Sequence, residues 1–472
     1  MSKSSTHHAP RRALAAIVVA AALASGCSFA PRHERPALPV ADAFPTYAAS
    51  TATAGTAAAD LAWQNFFTDP RLNRLILQAL NSNRDLRVAV LNIEQTRAQY
   101  QIRRADQYPT LNAAATGSRQ PAANGETNTL YSVGLAVTAY EIDFFGRVAS
   151  LKDAALSQYL ATEEGRKAAQ ISLIAAVANT WLGLLADEEL LAITRQTLTT
   201  REDSLRLTQL RFDNGVSSEL DFRQAESLTE AARAALAQQQ RQRALNVNAL
   251  TLLVGQPIEA SLLPQAAGTT LAQAPLLADV PAGLPSDLLA RRPDIRQAEQ
   301  LLMASNANIG AARAAFFPRI SLTVGVGTAS SQLSGLFESG SFGLSLAPQL
   351  LMPLFDAGRN AAGLESANAA QGIAVAQYER SVQTAFREVS DALASRATLA
   401  EQLRAQQAQA NAEAVRFKLS DLRYQNGVSS YLDLLDAQRS LFVTQQQLVQ
   451  TRLAQSQSQV NLYKALGGGW TD

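Results

Sequence analysis

The sequence predicts a mixed α/β membrane protein: four β-strands per chain pooled with those of other copies into one closed barrel, continued by long α-helices that pair as coiled coils. Three observations predict it. The N-terminus reads as an export signal ending at the chain's single cysteine, the rest of the chain is an internal two-fold repeat, and each repeat holds two alternating segments between long spans of helix formers.

The export signal comes first. Lys3, Arg11 and Arg12 precede an apolar run from Ala13 to Ala24, shorter than the roughly 20 residues a spanning helix needs but suited to a signal-peptide core. Residues 1–26 are therefore expected to be removed. The run ends in Leu23-Ala24-Ser25-Gly26-Cys27, which resembles a lipobox with Ala24 where leucine is usual, so Cys27 is the expected lipidation site. The plainer alternative is a lone reduced or disulfide cysteine, but no second cysteine exists to pair with it. From Pro31 to Thr56 the composition is rich in Pro, Ala and Thr without a usable period, so residues 27–62 read as an extended tether.

The duplication organises the remainder. Leu210-Arg211-Phe212-Asp213-Asn214-Gly215-Val216-Ser217-Ser218-Glu219-Leu220-Asp221 recurs as Leu422-Arg423-Tyr424-Gln425-Asn426-Gly427-Val428-Ser429-Ser430-Tyr431-Leu432-Asp433, an offset of 212 residues from Asp221 to Asp433. Asp85-Leu86-Arg87 pairs with Asp294-Ile295-Arg296, and Tyr108-Pro109 with Phe317-Pro318, both at an offset of 209. The repeats are assigned to 63–256 and 284–468, with a linker at 257–283 and a tail at 469–472. Two copies are too few for a solenoid and suit a pseudo-symmetric closed object.

Two segments per repeat have period two. Ile320, Leu322, Val324 and Val326 alternate with Arg319, Ser321, Thr323 and Gly325; Phe342, Leu344 and Leu346 alternate with Ser341, Gly343 and Ser345. Tyr131, Val133, Leu135 and Val137 repeat the pattern in the first copy, and Thr110 to Gly117 is a weaker version. Tyr108, Phe316 and Phe317 are expected at one end of these strands, with Tyr140, Phe144, Phe145 and Phe355 at the other. Apolar-out, polar-in strands with terminal aromatics suit a membrane barrel, while alternation alone equally fits a soluble sandwich with one wet face. Four strands cannot close a transmembrane barrel, since bacterial ones start at about eight. Several chains must contribute, and a trimer would supply twelve strands.

The remaining spans are helical. No proline interrupts the chain between Pro121 and Pro257 or after Pro353, and Leu434, Leu441 and Leu448 recur every seven residues beside Leu435, Phe442 and Val449, as in a coiled-coil seam. A helix from Gly146 to Gly215 would run roughly 100 Å, and its return limb to Gly255 only about 60 Å. The segment from Asp85 to Gln107 would add roughly 35 Å, so two shorter helices stacked end to end match one long one. Each copy is thus expected to build a rod with strands at one end and the Asn-Gly turn at the other.

Composition excludes several functions. Lys+Arg at 41 against Asp+Glu at 40 leaves a net charge of +1 with no basic stripe, so nucleic acid is not an expected partner. Histidine occurs only at positions 7, 8 and 33, which leaves the body of the chain without an imidazole base, a thiolate or a zinc site. No catalytic residue, metal or cofactor is expected.

Longer stretches carry a resemblance. Leu284 to Glu299 (LPSDLLARRPDIRQAE), Ala311 to Pro318 (AARAAFFP), Tyr431 to Arg439 (YLDLLDAQR) and Val460 to Trp470 (VNLYKALGGGW) resemble the outer-membrane efflux protein family, in its lipidated NodT and OprM-like branch related to TolC. The resemblance covers nearly the whole mature chain. It implies a homotrimer in the outer membrane that extends into the periplasm. Its pooled strands would form one barrel and its helices a tunnel docked on a periplasmic membrane-fusion adaptor, itself fed by an inner-membrane pump of the resistance-nodulation-division class. Ser28, where an aspartate would direct the lipoprotein elsewhere, then favours outer-membrane lipid.

The resemblance also suggests sites. Leu432, Asp433 and Asp436 share a face of a helix that begins just past the second turn, and the family places leucine and aspartate rings at a periplasmic gate. The bland alternative is that acids in a first turn complement the helix dipole. The first copy keeps Leu220 and Asp221 but has Gln224 in place of the second acid, so gating is expected to lean on the second copy. Asn214, Gly215, Val216 and Ser217, with Asn426, Gly427, Val428 and Ser429, are expected both to cap helices and to meet the adaptor. Arg291-Arg292-Pro293-Asp294 reads as helix initiation, and Trp63 and Trp181 as packing residues. The rival functions are a lipid-anchored periplasmic scaffold without a pore, an exit for secreted polypeptides and, weakest, a surface-anchored enzyme. Only three methionines occur, which gives no support for soft-metal handling.

Overall fold

A computed structural model describes residues 29–45, 57–121, 125, 127–265, 271, 288 and 291–470. The expected signal segment, Cys27 and most of the 257–283 linker lie outside the described residues. In chain order the elements are α1 (Trp63–Phe66), α2 (Pro70–Ser82), α3 (Arg84–Ala105), β1 (Leu111–Pro121), β2 (Thr127–Ile142), α4 (Arg147–Asp213), α5 (Glu219–Val254), α6 (Pro293–Ala314), β3 (Arg319–Ser330), β4 (Phe342–Leu351), α7 (Arg359–Gln425) and α8 (Tyr431–Ala465). The duplication is nearly exact in length: 22 and 22 residues in α3 and α6, 67 and 67 in α4 and α7, 36 and 35 in α5 and α8.

The chain forms two compact units, and α3, α4, α6 and α7 contribute to both. The first unit comprises residues up to 37, 92–163 and 297–379. Its sheet is an antiparallel meander in the order β1-β2-β3-β4. The alternation predicted from sequence is realised in the register. Leu135 pairs with Val326 and Val326 with Leu344 on one face, while Thr116 and Ser132 hydroxyls meet at 2.7 Å on the other and Gly325 pairs with Ser345. A bulge between Val137 and Tyr140 puts Ala139 at φ 51° and sends its amide to the Thr323 hydroxyl at 3.2 Å.

One expectation about this sheet is overturned. In an antiparallel meander β1 and β3 start at the rim where β2 and β4 finish, so Tyr108, Phe316, Phe317, Tyr140, Phe144, Phe145 and Phe355 all gather at the same, helix-proximal rim. Phe145 and Phe317 stack there at 4.9 Å. Placing the two sets at opposite ends followed chain order, which ignores that the strands reverse.

The described residues of the tether are docked rather than free, and Ala58–Asp60 within it form a short 3-10 helix. Phe29 stacks on Phe317 at 4.7 Å, Arg313 donates to the Phe29 carbonyl at 3.0 Å, and Arg35 binds Glu299 with two bonds of 2.9 and 3.0 Å.

The second unit comprises 38–91, 164–296 and 380–472. Its core holds Trp63, Phe66, Ile174, Trp181, Leu184, Leu250 and Tyr463, all buried, so Trp63 and Trp181 do pack as expected. Tyr463 stacks on Phe66 at 4.0 Å and donates to the Leu61 carbonyl at 2.6 Å. α4 contains a stretch long and apolar enough to cross a membrane, but most of it is buried within the chain. The stacked-helix expectation is realised in both copies. Gly255, just past α5, abuts Ser82 and Asn83 at the head of α3, and Asn83 donates to the Leu253 carbonyl at 2.8 Å. Gly467, just past α8, abuts the Arg291 carbonyl ahead of α6.

Arg292 does more than begin a helix. Its buried guanidinium binds Asp294 at 2.6 Å and Glu388 at 2.8 Å and donates to the Ala465 carbonyl at 2.9 Å, tying α6, α7 and α8. Burial alone would lower its pKa, but the two carboxylates more than offset this and hold it above the usual arginine value.

Candidate functional site

The two tip turns belong to the second unit and are built alike. In the first, the Asn214 side chain donates to Leu210 O at 2.7 Å, Gly215 takes φ 71°, and the Val216 amide donates to Arg211 O at 2.8 Å. In the second, Asn426 donates to Leu422 O at 2.7 Å, Gly427 takes φ 71°, and Val428 donates to Arg423 O at 2.9 Å. Ser218 and Ser430 then cap α5 and α8, accepting from the Asp221 and Asp433 amides at 3.2 and 3.4 Å. Ser217 donates to Asp221 at 3.1 Å, while the Ser429 hydroxyl has no partner among the described residues. Val216 and Val428 stand 75% and 66% exposed, so each turn presents an apolar knob that its own chain does not cover.

Beneath the second turn lies a small core. Tyr424, Tyr431, Leu434 and Leu435 pack with Ala225 and Leu228, and Arg211 lies over the Tyr424 ring at 4.5 Å. Burial of Tyr431 pushes its phenol up to about 12. Of the seam read from the heptads, Leu434, Leu435, Leu448 and Val449 are buried and Leu441 and Phe442 half-buried.

The opposite face of α8 carries the suggested gate residues. Leu432, Asp433 and Asp436 are all exposed. Asp433 accepts from the Ser430 hydroxyl at 3.0 Å, so the bland capping role is real for this acid. Asp436 is different: it pairs with Arg416 of α7, which also binds Glu413 at 3.2 Å. Sequence reading missed Arg416. The available signal was symmetry, because Arg416 and Asp436 each lie ten residues from Asn426 and a helical hairpin folded at that turn brings them level. In the first copy the same places hold Ser204 and Gln224.

The other candidate surface is the sheet of the first unit. Its apolar face is open, with Leu344 at 74% and Leu346 at 65% exposure, and among the described residues β1 and β4 each have one unpaired edge. The polar face bounds a hollow of about 470 Å³ lined by Thr116, Ser132, Thr323, Gly325 and Ser345 among others. Among the described residues no group of His, Cys, Asp and Glu is arranged to hold a metal ion.

An amphipathic meander with open edges, doubled helices of coiled-coil length and paired tip turns defines a barrel-and-helix membrane channel subunit. The chain belongs to the outer membrane efflux protein family, whose model matches residues 75–256 and 284–468. It is 47% identical to the toluene efflux pump outer membrane protein TtgC of Pseudomonas putida over 468 residues, 97% of this chain and 96% of the relative. It is likewise 47% identical to outer membrane protein OprJ of Pseudomonas aeruginosa over 471 residues, 98% and 97% of the two chains. Among solved structures it resembles the open-state MtrE outer membrane channel of Neisseria gonorrhoeae, with a TM-score of 0.85, 42% identity and coverage of 94% and 99%. CusC matches with a TM-score of 0.83, 40% identity and coverage of 94% and 100%. The fold is that of these outer-membrane channels, and the family consists of transport components.

Proposed function

We propose that the chain is the exit duct of a tripartite efflux pump, passively conducting small toxic compounds to the cell exterior. The observation that carries this reading is the four-stranded meander. Lipid offers no hydrogen-bond partner for the free edges of β1 and β4, and nothing in water favours the exposed Leu344 and Leu346. Three copies pool their strands into a twelve-stranded barrel, with the polar face inward and the apolar face on lipid. Cys27 carries the lipid that anchors each subunit.

The tips at Asn214, Gly215, Val216 and Ser217 and at Asn426, Gly427, Val428 and Ser429 dock on a periplasmic adaptor, which a resistance-nodulation-division pump feeds. Leu432, Asp433 and Asp436, one set per subunit, form the collar that keeps the resting tunnel shut. No catalytic step is assigned. Cargo is chosen upstream; toluene in the name of TtgC and antibiotics in that of a Pseudomonas putida relative, the antibiotic efflux pump protein ArpC, suggest apolar drugs and solvents.

Electrophoresis of the detergent-extracted protein tests the assembly. A heat-modifiable trimer that conducts in planar bilayers once Asp433→Ala with Asp436→Ala opens the collar is expected, and a water-soluble monomer would refute the duct. Crosslinking from a cysteine placed at Ser217 or Ser429 to the cognate adaptor tests docking, and the absence of an adduct would count against it.

A further inference from the structure

The polar face of the sheet is almost uncharged, running from Thr116 and Ser132 through Thr323 to Ser345. Charge enters it at the helix-proximal rim, where Glu141 pairs in register with Ser321 and Arg319 lies two residues before Ser321 on the same face. The Glu141 carboxylate accepts from Arg147 of α4 at 2.8 and 2.6 Å and from Arg319 at 3.1 and 2.7 Å. One carboxylate thus serves two guanidiniums. Asp143 accepts from the Ala149 amide at 2.7 Å, where it complements the positive end of α4, and together with Asp106 it also acts on Arg147. Arg147 thus has Glu141, Asp143 and Asp106 around it, whereas Arg319 has only its share of Glu141 among the described contacts. Arg319 is also the accessible one, with its side chain 60% exposed against 29% for Arg147 and 13% for Glu141.

We propose that Arg319 is a charge-selecting residue of the duct: three copies ring the lumen where the strands meet the helices, favouring anions and disfavouring small cations. This rests on the pooled-barrel reading above, because it is the lipid-facing Leu344 and Leu346 that turn Arg319 inward. Twelve strands about 4.8 Å apart and tilted about 40° give a backbone radius of about 12 Å. Screening lengths are about 8 Å at 0.15 M salt, 30 Å at 0.01 M and 3 Å at 1 M. The ring therefore governs the axis only in dilute salt, and at physiological salt acts on solutes passing near the wall.

The test is the chloride-to-potassium permeability ratio, read from reversal potentials of full-chain trimers in planar bilayers. An Asp433→Ala/Asp436→Ala background keeps the acidic collar from setting the ion preference. Arg319→Gln is expected to lower the ratio at least about twofold near 0.01 M and to leave it unchanged at 1 M. Arg319→Lys, which keeps the charge but not the two-pronged bond, should retain the parent ratio. Glu141→Gln, which unmasks a further positive charge, should raise it. An unchanged ratio for Arg319→Gln in dilute salt, or an equal fall for Arg319→Lys, would overturn the proposal. Trimers of the Asp433→Ala/Asp436→Ala background without any conductance would instead sink the barrel reading and take this inference with them.

Discussion

Arg416 and Asp436 form an ion pair across the second tip turn, and the first copy has Ser204 and Gln224 in the same two places. The pair is exposed, with side-chain accessibilities of 44% and 61%. Such a pair contributes only about 0.2–1 kcal/mol to stability. Its weakness suits a latch that must open. Arg416→Ala, and likewise Asp433→Ala with Asp436→Ala, are expected to leave trimer melting nearly unmoved while raising resting conductance several-fold in planar bilayers. Variants no leakier than the parent would remove these residues from the gate.

The tight helix junctions give a second expectation. A side chain at Gly255 would sit 2.4 Å from the Ser82 carbonyl, and one at Gly467 2.7 Å from that of Arg291, at positive φ in both cases. Gly255→Ala and Gly467→Ala are each expected to cost about 1–3 kcal/mol, read as a lowered melting temperature of the detergent-solubilised trimer. Gly215→Ala meets open space and carries only the backbone penalty of roughly 1–2 kcal/mol, so it should melt higher than either. Equal melting of all three would contradict the close approach.

The two faces of β4 should respond differently to charge. Leu346→Arg puts a cation toward lipid at a cost of about 2–4 kcal/mol, whereas Ser345→Arg faces water and should be accommodated. Folding into lipid vesicles, followed by heat-modifiable migration, separates the two. A lower yield for Ser345→Arg than for Leu346→Arg would mean that the inward and outward faces have been assigned the wrong way round, and comparable yields that neither faces lipid.

Alkaline titration reports on the core under the tip. Burial raises the Tyr431 phenol from its ordinary 10.0 to about 12. The folded state therefore holds this proton more tightly than the unfolded chain. The associated stability is fully present below pH about 10 and is lost as pH climbs through 12. Tyr431→Phe should flatten that part of the stability profile, and an unaltered alkaline slope would show that another group is responsible.

Much of this architecture was legible in the sequence because it is local and repeated. Ile320, Leu322, Val324 and Val326 announce a strand by period two, and the doubled Asn-Gly-Val-Ser-Ser announces both tips. β1 was fainter, since Ala113, Ala114 and Ala115 blur the difference between its faces. What stayed hidden depends on contacts distant in the chain. The gathering of aromatics at one rim needs the strand pairing, the Phe29 stack on Phe317 needs the tether's docked path, and the three-helix grip of Arg292 needs α7 and α8 in place. Arg416 was within reach by counting outward from Asn426, but neither charge alone marks a bond.

The equality of α4 and α7 at 67 residues makes each the other's measuring stick. A single residue inserted into one would advance its turn by about 1.5 Å and swing it by roughly 100°, leaving the six turns of a trimer out of step. Changes of length in this lineage should therefore arise in matched steps, one in each half of the gene.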